Sequence, residues 1–542
     1  VSAATAVAVV PRSTAYVGTT TLLRAGLRRD RRRLLIWVLS LGLLTVYATI
    51  GLRTIYDTPA SRQSRAAVIQ TPAGIMLGGP GYGTENYTIG AMIANELGLS
   101  VMVAMAILSL LLVVRHTRAE EDDGRAELLL SGSVGRRAPL LAALLLMGAA
   151  NLAVGVVVFA GLAGSGLAAV DSLALAVGWA LTGAVFGCVA AATAQVMAQA
   201  RAASGTALAL LGAAAVVRGV GDILTEHGSA LSWLSPIAWA QQTRAFVDLR
   251  WWPLLLSVAL IGALTAVAFA LDDRRDVGAG LVAPRRGPAA AAPSLGGPAA
   301  LVARLQRGTV LGWTATLLLL GLTFGSLSES VTSMVGDIPQ LQKALDVGAD
   351  PIDSFAAAAA MYFGLLAASY AVASVLRLRG EEGAGRAELL LATALDRRRL
   401  LGATLGVTAV VATGLLVVGG LADGLAAAGV LGDAGRIGPQ LGAALVQLPA
   451  VLVVIGLAAA LVGAAPRFAP FAWLVVVWAL LAGIFGPLLD LPDWAAKLSP
   501  FGWVPQVPAE DLDVVPLVGL VVAAVALITV GLVGFRRRDV PA

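Results

Sequence analysis

Glu120-Glu121-Asp122-Asp123-Gly124-Arg125-Ala126-Glu127-Leu128-Leu129-Leu130 recurs as Glu381-Glu382-Gly383-Ala384-Gly385-Arg386-Ala387-Glu388-Leu389-Leu390-Leu391, at an offset of 261 residues. Both copies read E-E-x-x-G-R-A-E-L-L-L. The same offset carries Arg118 onto Arg379 and Arg136 onto Arg397. An ungapped match of this kind in a chain of 542 residues marks an internal duplication. The chain is therefore read as two halves, each with one charged loop.

Composition says what surrounds those loops. With 58% hydrophobic and 13% charged residues and a mean hydropathy of +0.84, the chain is too apolar for a water-soluble domain. Apolar runs of the length that crosses a bilayer, about 20 residues, recur throughout. The expected fold class is an all-α polytopic membrane protein of twelve transmembrane helices, arranged as two six-helix parallel repeats. The net charge of +5 comes from arginines beside apolar runs, which excludes nucleic acid as the natural partner. Cys188 stands alone inside an apolar run, so neither an intramolecular disulfide nor a thiolate metal cluster is expected.

The spans are placed at about 34–52, 89–114, 138–163, 171–198, 204–224 and 252–271, then at about 308–328, 353–376, 400–421, 438–464, 468–489 and 514–535. Residues 1–33 are read as a disordered tail followed by an amphipathic interfacial helix. In that helix Leu22, Leu23 and Leu27 oppose Arg24, Arg28 and Arg31. Ahead of the seventh span, Leu301, Val302 and Leu305 oppose Arg304 and Arg307 in the same way. The domains are thus 1–33, a first half 34–271, a flexible cytoplasmic linker 272–298 rich in Ala, Gly and Pro, and a second half 299–542 that begins with its own interfacial helix. About 29 of the 38 basic residues fall inside and about 8 outside when the amino terminus is cytoplasmic, so both termini and both charged loops are expected in the cytoplasm.

The expected outer side carries a second repeated feature. Leu234-Ser235-Pro236-Ile237-Ala238-Trp239 and Leu498-Ser499-Pro500-Phe501-Gly502-Trp503 precede the last span of each half. Proline interrupts the helix and tryptophan prefers the interface, so each is read as a re-entrant turn dipping into the outer leaflet. The charged loops read as helices, with acids first and arginines near the far end, which suits the helix dipole. Their leucines supply apolar contact area, which makes each loop a docking element for a partner.

The E-E-x-x-G-R-x-E-L-L pattern between the second and third spans resembles the coupling helix of ABC-2 type exporter permeases. The interfacial helix before span one and the broken segment before span six match that family too. The fused two-half form resembles actinobacterial permeases associated with tetronasin-like polyketide antibiotic and multidrug efflux. The resemblance implies a bacterial inner-membrane exporter subunit that works with two copies of a separate ATPase and carries amphipathic or hydrophobic small molecules from the cytoplasm or inner leaflet. It implies an ATPase contact at Glu120, Glu121, Gly124, Arg125 and Glu127, and at Glu381, Glu382, Gly385, Arg386 and Glu388. It also implies that spans two and five of each half line the pathway. One departure stands out: Asp122 and Asp123 are answered by Gly383 and Ala384, so the two docking sites differ.

No ATP or magnesium site is expected in this chain. A Walker A loop needs G-K-[ST], and the two lysines, Lys343 and Lys497, are followed by Ala344 and Leu498. ATP and Mg are assigned to the partner. The two histidines, His116 and His227, lie on opposite sides, and no H-E-x-x-H or G-x-S-x-G occurs, so neither metal nor catalytic chemistry is expected. Ionisable groups in spans are expensive, which singles out Glu96 with its neighbour Asn95, and Arg218 with Asp222, as candidate pathway residues. Asn95, Glu96 and Arg218 are read as facing the cavity between halves, while Arg218 and Asp222, four apart on one helical face, equally suit a structural ion pair. They belong to the first half alone, since their counterparts include Ala357 and Ala482. A proton-coupled secondary multidrug transporter is the alternative, opposed by the scarcity of acids at mid-bilayer. A membrane-embedded enzyme for lipid substrates would need clustered catalytic groups, which the sequence lacks.

Overall fold

A computed structural model describes residues 15–282, 287, 289–329, 350–383, 385–393, 395–485 and 492–538. Two compact units, Val1–Gly287 and Pro288–Ala542, meet inside the expected linker. Unit 1 holds α1 (Thr19–Ile55), α2 (Pro59–Ile69), α3 (Pro72–Leu77), α4 (Ile89–Glu96), α5 (Gly98–Arg115), α6 (Arg118–Asp122), α7 (Arg125–Leu130), α8 (Ala138–Gly164), α9 (Ala169–Val196), α10 (Ala200–Leu224), α11 (Pro236–Gln241) and α12 (Pro253–Asp272). Unit 2 holds α13 (Pro298–Ser326), α14 (Pro351–Gly383), α15 (Arg386–Leu391), α16 (Arg397–Leu431), α17 (Ile437–Val446), α18 (Leu448–Ala464), α19 (Ala472–Phe485), α20 (Asp493–Ala496) and α21 (Val514–Arg537).

Twelve helical segments among the described residues are long and apolar enough to cross a membrane. The chain is an all-α multi-pass membrane protein. Leucines and valines stay exposed along helices such as α12 and α21, for example Leu255, Val258, Val518 and Val522, as they should where the solvent is lipid. The outer loop expected at 329–352 lies almost wholly outside the described residues, as do residues 1–14, Lys343, Ala384 and the end of the eleventh span at 486–489.

Several expected boundaries are corrected. The amphipathic segment 19–33 is no separate helix but the opening of the unbroken α1, and α13 likewise runs from Pro298 straight into its span. Its buried face is selected by packing, because Gly26 and Asp30 lie against α5 and α8: Asp30 accepts from the His116 ring, and a Cβ on Gly26 would meet Leu146. In unit 2 Gln306 does the same work by accepting hydrogen bonds from Tyr370 (2.7 Å) and Ser374 (3.0 Å). Span two is two helices, α4 and α5, separated at Leu97, and span ten is α17 and α18, separated at Gln447. The first part of the supposed flexible linker is folded: Val282 pairs its main chain with Val196, and a Cβ on Gly280 would strike the Ala198 backbone nitrogen at 2.4 Å.

Small residues let the spans approach closely, as packing in lipid requires. In unit 2, α18 and α21 meet through Gly456 and Gly463 on one side and Gly531 and Gly534 on the other. A Cβ on Gly463 would sit 2.1 Å from the Gly531 carbonyl oxygen. Gly531→Val should therefore destabilise unit 2 by about 1–3 kcal/mol. Chemical denaturation in mixed micelles should show a lowered midpoint for Gly531→Val and an unchanged one for Gly406→Val, where a Cβ meets nothing within 4 Å.

Candidate functional site

Each charged motif builds one corner of its unit. In unit 1 the chain leaves α5, makes the short α6, and turns at Gly124 with φ +71° before entering α7. In unit 2 the acidic pair Glu381-Glu382 ends α14 itself, and Gly385 turns at φ +69° into α15. Glycine is the residue that adopts this left-handed conformation without strain. The expected single docking helix is thus corrected: the acidic pair ends one helix, and a bend precedes the six-residue R-A-E-L-L-L helix. Ala126 and Ala387 anchor that helix inward, while Leu128 and Leu389 are 76% and 73% exposed beside the exposed Glu127 and Glu388.

The remaining motif charges are tied within their own unit. Glu121 accepts from Arg118 Nη1 at 2.9 Å, from Arg275 Nη1 at 2.7 Å and from the Gly278 main-chain nitrogen at 3.1 Å. Arg275 follows span six and also donates Nε to Gln195 at the end of α9, at 2.6 Å. Glu382 repeats the arrangement, pairing with Arg379 at 3.3 Å and with Arg538, which follows α21. Arg136 donates to the carbonyls of Asp272 and Arg275, and its counterpart Arg397 donates to the carbonyl of Arg538. Two copies of one network therefore bind the second motif glutamate to the arginine trailing the last span.

The first glutamate closes the glycine turn. Arg125 Nε donates to Glu120 at 2.6 Å, and Arg386 Nε donates to Glu381. Burial pushes the Glu120 carboxyl up, but hydrogen bonds from Arg125 and Arg29 outweigh it and hold the group below its ordinary value. Unit 1 has two further ties. Arg29 of α1 pairs with Glu120, and Asp122 Oδ2 accepts from the Ala200 main-chain nitrogen that opens α10, at 2.7 Å. The motif of unit 1 is thus fastened to spans one, four, five and six. Gly383, in the place of Asp122, has no side chain for the span-five tie.

Beside this corner lies a cavity of about 460 Å³, lined by α1, α7, α8 and the segment after α12. The matching space in unit 2 is about 60 Å³.

The other sequence-selected polar residues lie at the opposite end of unit 1 and are also engaged. Arg218, with no exposed surface, donates to the carbonyls of Ile75 (3.1 Å), Met76 (2.8 Å) and Gly78 (3.2 Å), closing the end of α3. Its Nε lies 3.5 Å from Asp222 Oδ2, and Ser232 donates to Asp222 Oδ1 at 2.6 Å. Glu96 pairs with Arg65 of α2 at 2.8 Å, and Asn95 donates to the Tyr82 carbonyl at 2.9 Å. These four bring the segment 56–87 onto spans two and five. The L-S-P-x-x-W segments share one construction. Ser235 and Ser499 cap the nitrogens of Ile237 and Phe501, and Pro236 and Pro500 occupy the first helical turn. Trp239 and Trp503 donate their indole N–H to the carbonyls of Trp233 (2.8 Å) and Lys497 (2.9 Å).

A family model described as "Multidrug efflux system permease Rv1217c, C-terminal domain" matches residues 20–271 and again residues 295–536. The chain belongs to this family of efflux permeases. The permease is 40% identical over 537 residues to the multidrug efflux system permease protein Rv1217c of Mycobacterium tuberculosis, across 98% of this chain and 96% of that relative. One description matching both halves agrees with the duplication read from the charged motif, and the resemblance to exporter permeases is upheld.

Sequence reasoning missed three things in the permease. Arg275 and Arg538 looked like ordinary flanking cations, although both trail a last span. Gln195 carried no signal. Asp423 lies two residues beyond the expected end of span nine, whereas α16 continues to Leu431 and buries it. Glu121→Gln and Arg275→Gln should each destabilise unit 1 by about 3 kcal/mol, as breaking a largely buried pair does. In a double-mutant cycle by denaturation the two losses should fall short of additivity by about 1–3 kcal/mol. Strict additivity would mean that the two side chains act independently.

Proposed function

We propose that the permease is the transmembrane subunit of an ATP-driven ABC exporter, carrying amphipathic or hydrophobic small molecules, antibiotics and drugs among them, out of a bacterial cell. The name of the mycobacterial relative, a multidrug efflux system permease, supports the cargo class. In this reading the charged corners face the cytoplasm of an inner-membrane protein with both termini inside. Two copies of a separate subunit that binds ATP and Mg and performs the hydrolysis dock on α7 and α15.

The observation that carries the docking reading is the division of labour inside the motif. Glu120, Glu121, Arg125, Glu381, Glu382 and Arg386 are engaged by their own unit, leaving Glu127-Leu128 and Glu388-Leu389 presented outward at the same place in both. An exposed leucine beside an exposed carboxylate suits an apolar socket flanked by a cation. The glycine turns aim these tips, and the internal pairs carry a push to the span ends through Arg275 and Arg538. Spans two and five of each half line the pathway, and Asn95, Glu96, Arg218 and Asp222 hold the outer segment across the mouth of unit 1. The L-S-P-x-x-W turns form the re-entrant outer segments.

Asp423 favours a second reading, proton coupling, since a buried carboxyl in a span is the group such a carrier needs. ATP-dependent uptake of cargo into inverted vesicles should stop with vanadate and persist with a protonophore; the reverse pattern would select the proton-coupled reading. Glu127→Lys with Glu388→Lys should abolish copurification of an ATPase subunit and leave the denaturation midpoint unchanged, whereas undiminished copurification would end the docking assignment. In a Cys188→Ser background, a membrane-impermeant thiol reagent applied to whole cells should spare a cysteine placed at Ser131 and label one placed at Trp503. Labelling at Ser131 would reverse the orientation.

A further inference from the structure

We infer that the cavity beside the unit 1 motif binds an amphiphile with one anionic head group, phosphate or carboxylate, and an apolar tail. At about 460 Å³ it falls within the range of small-molecule sites. Its apolar wall comes from Leu22 and Ala25 of α1 and from Leu140, Ala143 and Leu146 of α8. The charged part of the lining selects the sign of the head group. Glu120 is already met by Arg125 and Arg29, Glu121 by Arg118 and Arg275, and Asp272 lies 3.5 Å from Arg275. His116 is turned to Asp30.

Arg136 is different. Its Nη2 donates to the main-chain carbonyls of Asp272 and Arg275, and among the described residues no carboxylate lies within the 4.0 Å of an ion pair. The rest of its guanidinium is available at an exposed edge of the cavity. Arg29, also in the lining, uses one nitrogen on Glu120 and is 42% exposed. Glu120 and Glu121 are thus each met by two guanidiniums and Asp272 by one at a single oxygen, whereas two arginines keep free N–H donors above an apolar wall. Guanidinium groups with free donors bind phosphate and carboxylate strongly. A basic pocket beside spans on one face of a membrane protein is suited to acidic lipid.

The second unit lacks the features that make this site. Its space is about 60 Å³, its charged lining is Arg377 and Glu381, and Arg397 does not line it. Phe535, buried three residues before the trailing Arg538, stands where unit 1 has Asp272 three residues before Arg275. The site is therefore assigned to unit 1. Because the site is built from this chain alone, the inference stands apart from the docking reading.

The test uses the delipidated full chain in detergent, without any ATPase, and native mass spectrometry to count bound lipid. Phosphatidylglycerol should bind at one copy per chain, at least about tenfold more tightly than phosphatidylcholine. Ala143→Phe, which fills the apolar wall, and Arg136→Gln should each weaken it about tenfold or more, whereas Arg136→Lys and the remote Arg53→Gln should not. If Arg136→Gln fails to fold, Ala143→Phe decides. Oleate binding in place of phosphatidylglycerol would identify a carboxylate source of the same class. Equal binding of phosphatidylcholine, undiminished binding by Ala143→Phe, equally tight binding of glycerol phosphate without a tail, or displacement by a lipophilic cation would overturn the assignment.

Discussion

The pairing of one motif glutamate with the arginine that trails the last span is the constraint on which each unit depends. Glu121 with Arg275, and Glu382 with Arg538, join residues more than 150 positions apart in the chain. Each closes a ring: the end of span two, the turn into the short helix, the start of span three and the end of span six are fixed at one corner. Both glutamates and Arg275 find a second partner there, and the Arg538 guanidinium lies over the Phe535 ring. Arg118 and Arg379 complete the glutamates, and Arg275 also reaches Gln195. A corner so fastened is tied to the rest of its own unit, as a mere solvated loop between spans would not be.

The two corners are related but unequal. Unit 1 adds Arg29 to Glu120 and Asp122 to the first turn of α10, and it encloses a cavity several times larger than that of unit 2. It also carries the polar fastening of Arg218, Asp222, Glu96 and Asn95, for which Ala357 and Ala482 offer no equivalent. Duplication preserved the link from motif to last span, and the surroundings of that link differ between the units. The shared Ser-Pro-Trp turns mark the opposite pole of what was kept: a serine cap, a proline in the first turn and an indole bonded six residues back recur in both units.

Between these polar ends the units are held by close contact, not by charge. In lipid an apolar side chain gains nothing by leaving the solvent, so association rests on the fit of small residues and on satisfied polar groups. The glycine faces of α18 and α21 and the Asn151 amide, which donates to Ser109 at 2.8 Å between α8 and α5, are examples of each.

The sequence by itself determined the class of fold, the number of spans and the position of both motifs. Those follow from local rules: hydrocarbon thickness sets the length of an apolar run, and an ungapped repeat reveals duplication. It also picked out the polar residues that matter at both ends, because an ionised group in a span is too expensive to be incidental. Only tertiary structure decided what each does. Glu120 and Glu121 are adjacent and alike in sequence, yet one closes the glycine turn and meets Arg29 of α1, whereas the other reaches the arginine that trails the last span. Arg275 resembles any flanking cation until folding brings it to Glu121, and Asp423 resembles a loop residue until α16 continues past it. Helix continuity through Arg33 and the folding of 272–282 onto the motif were likewise decided by contacts distant in the chain, which no local pattern of hydropathy or charge encodes.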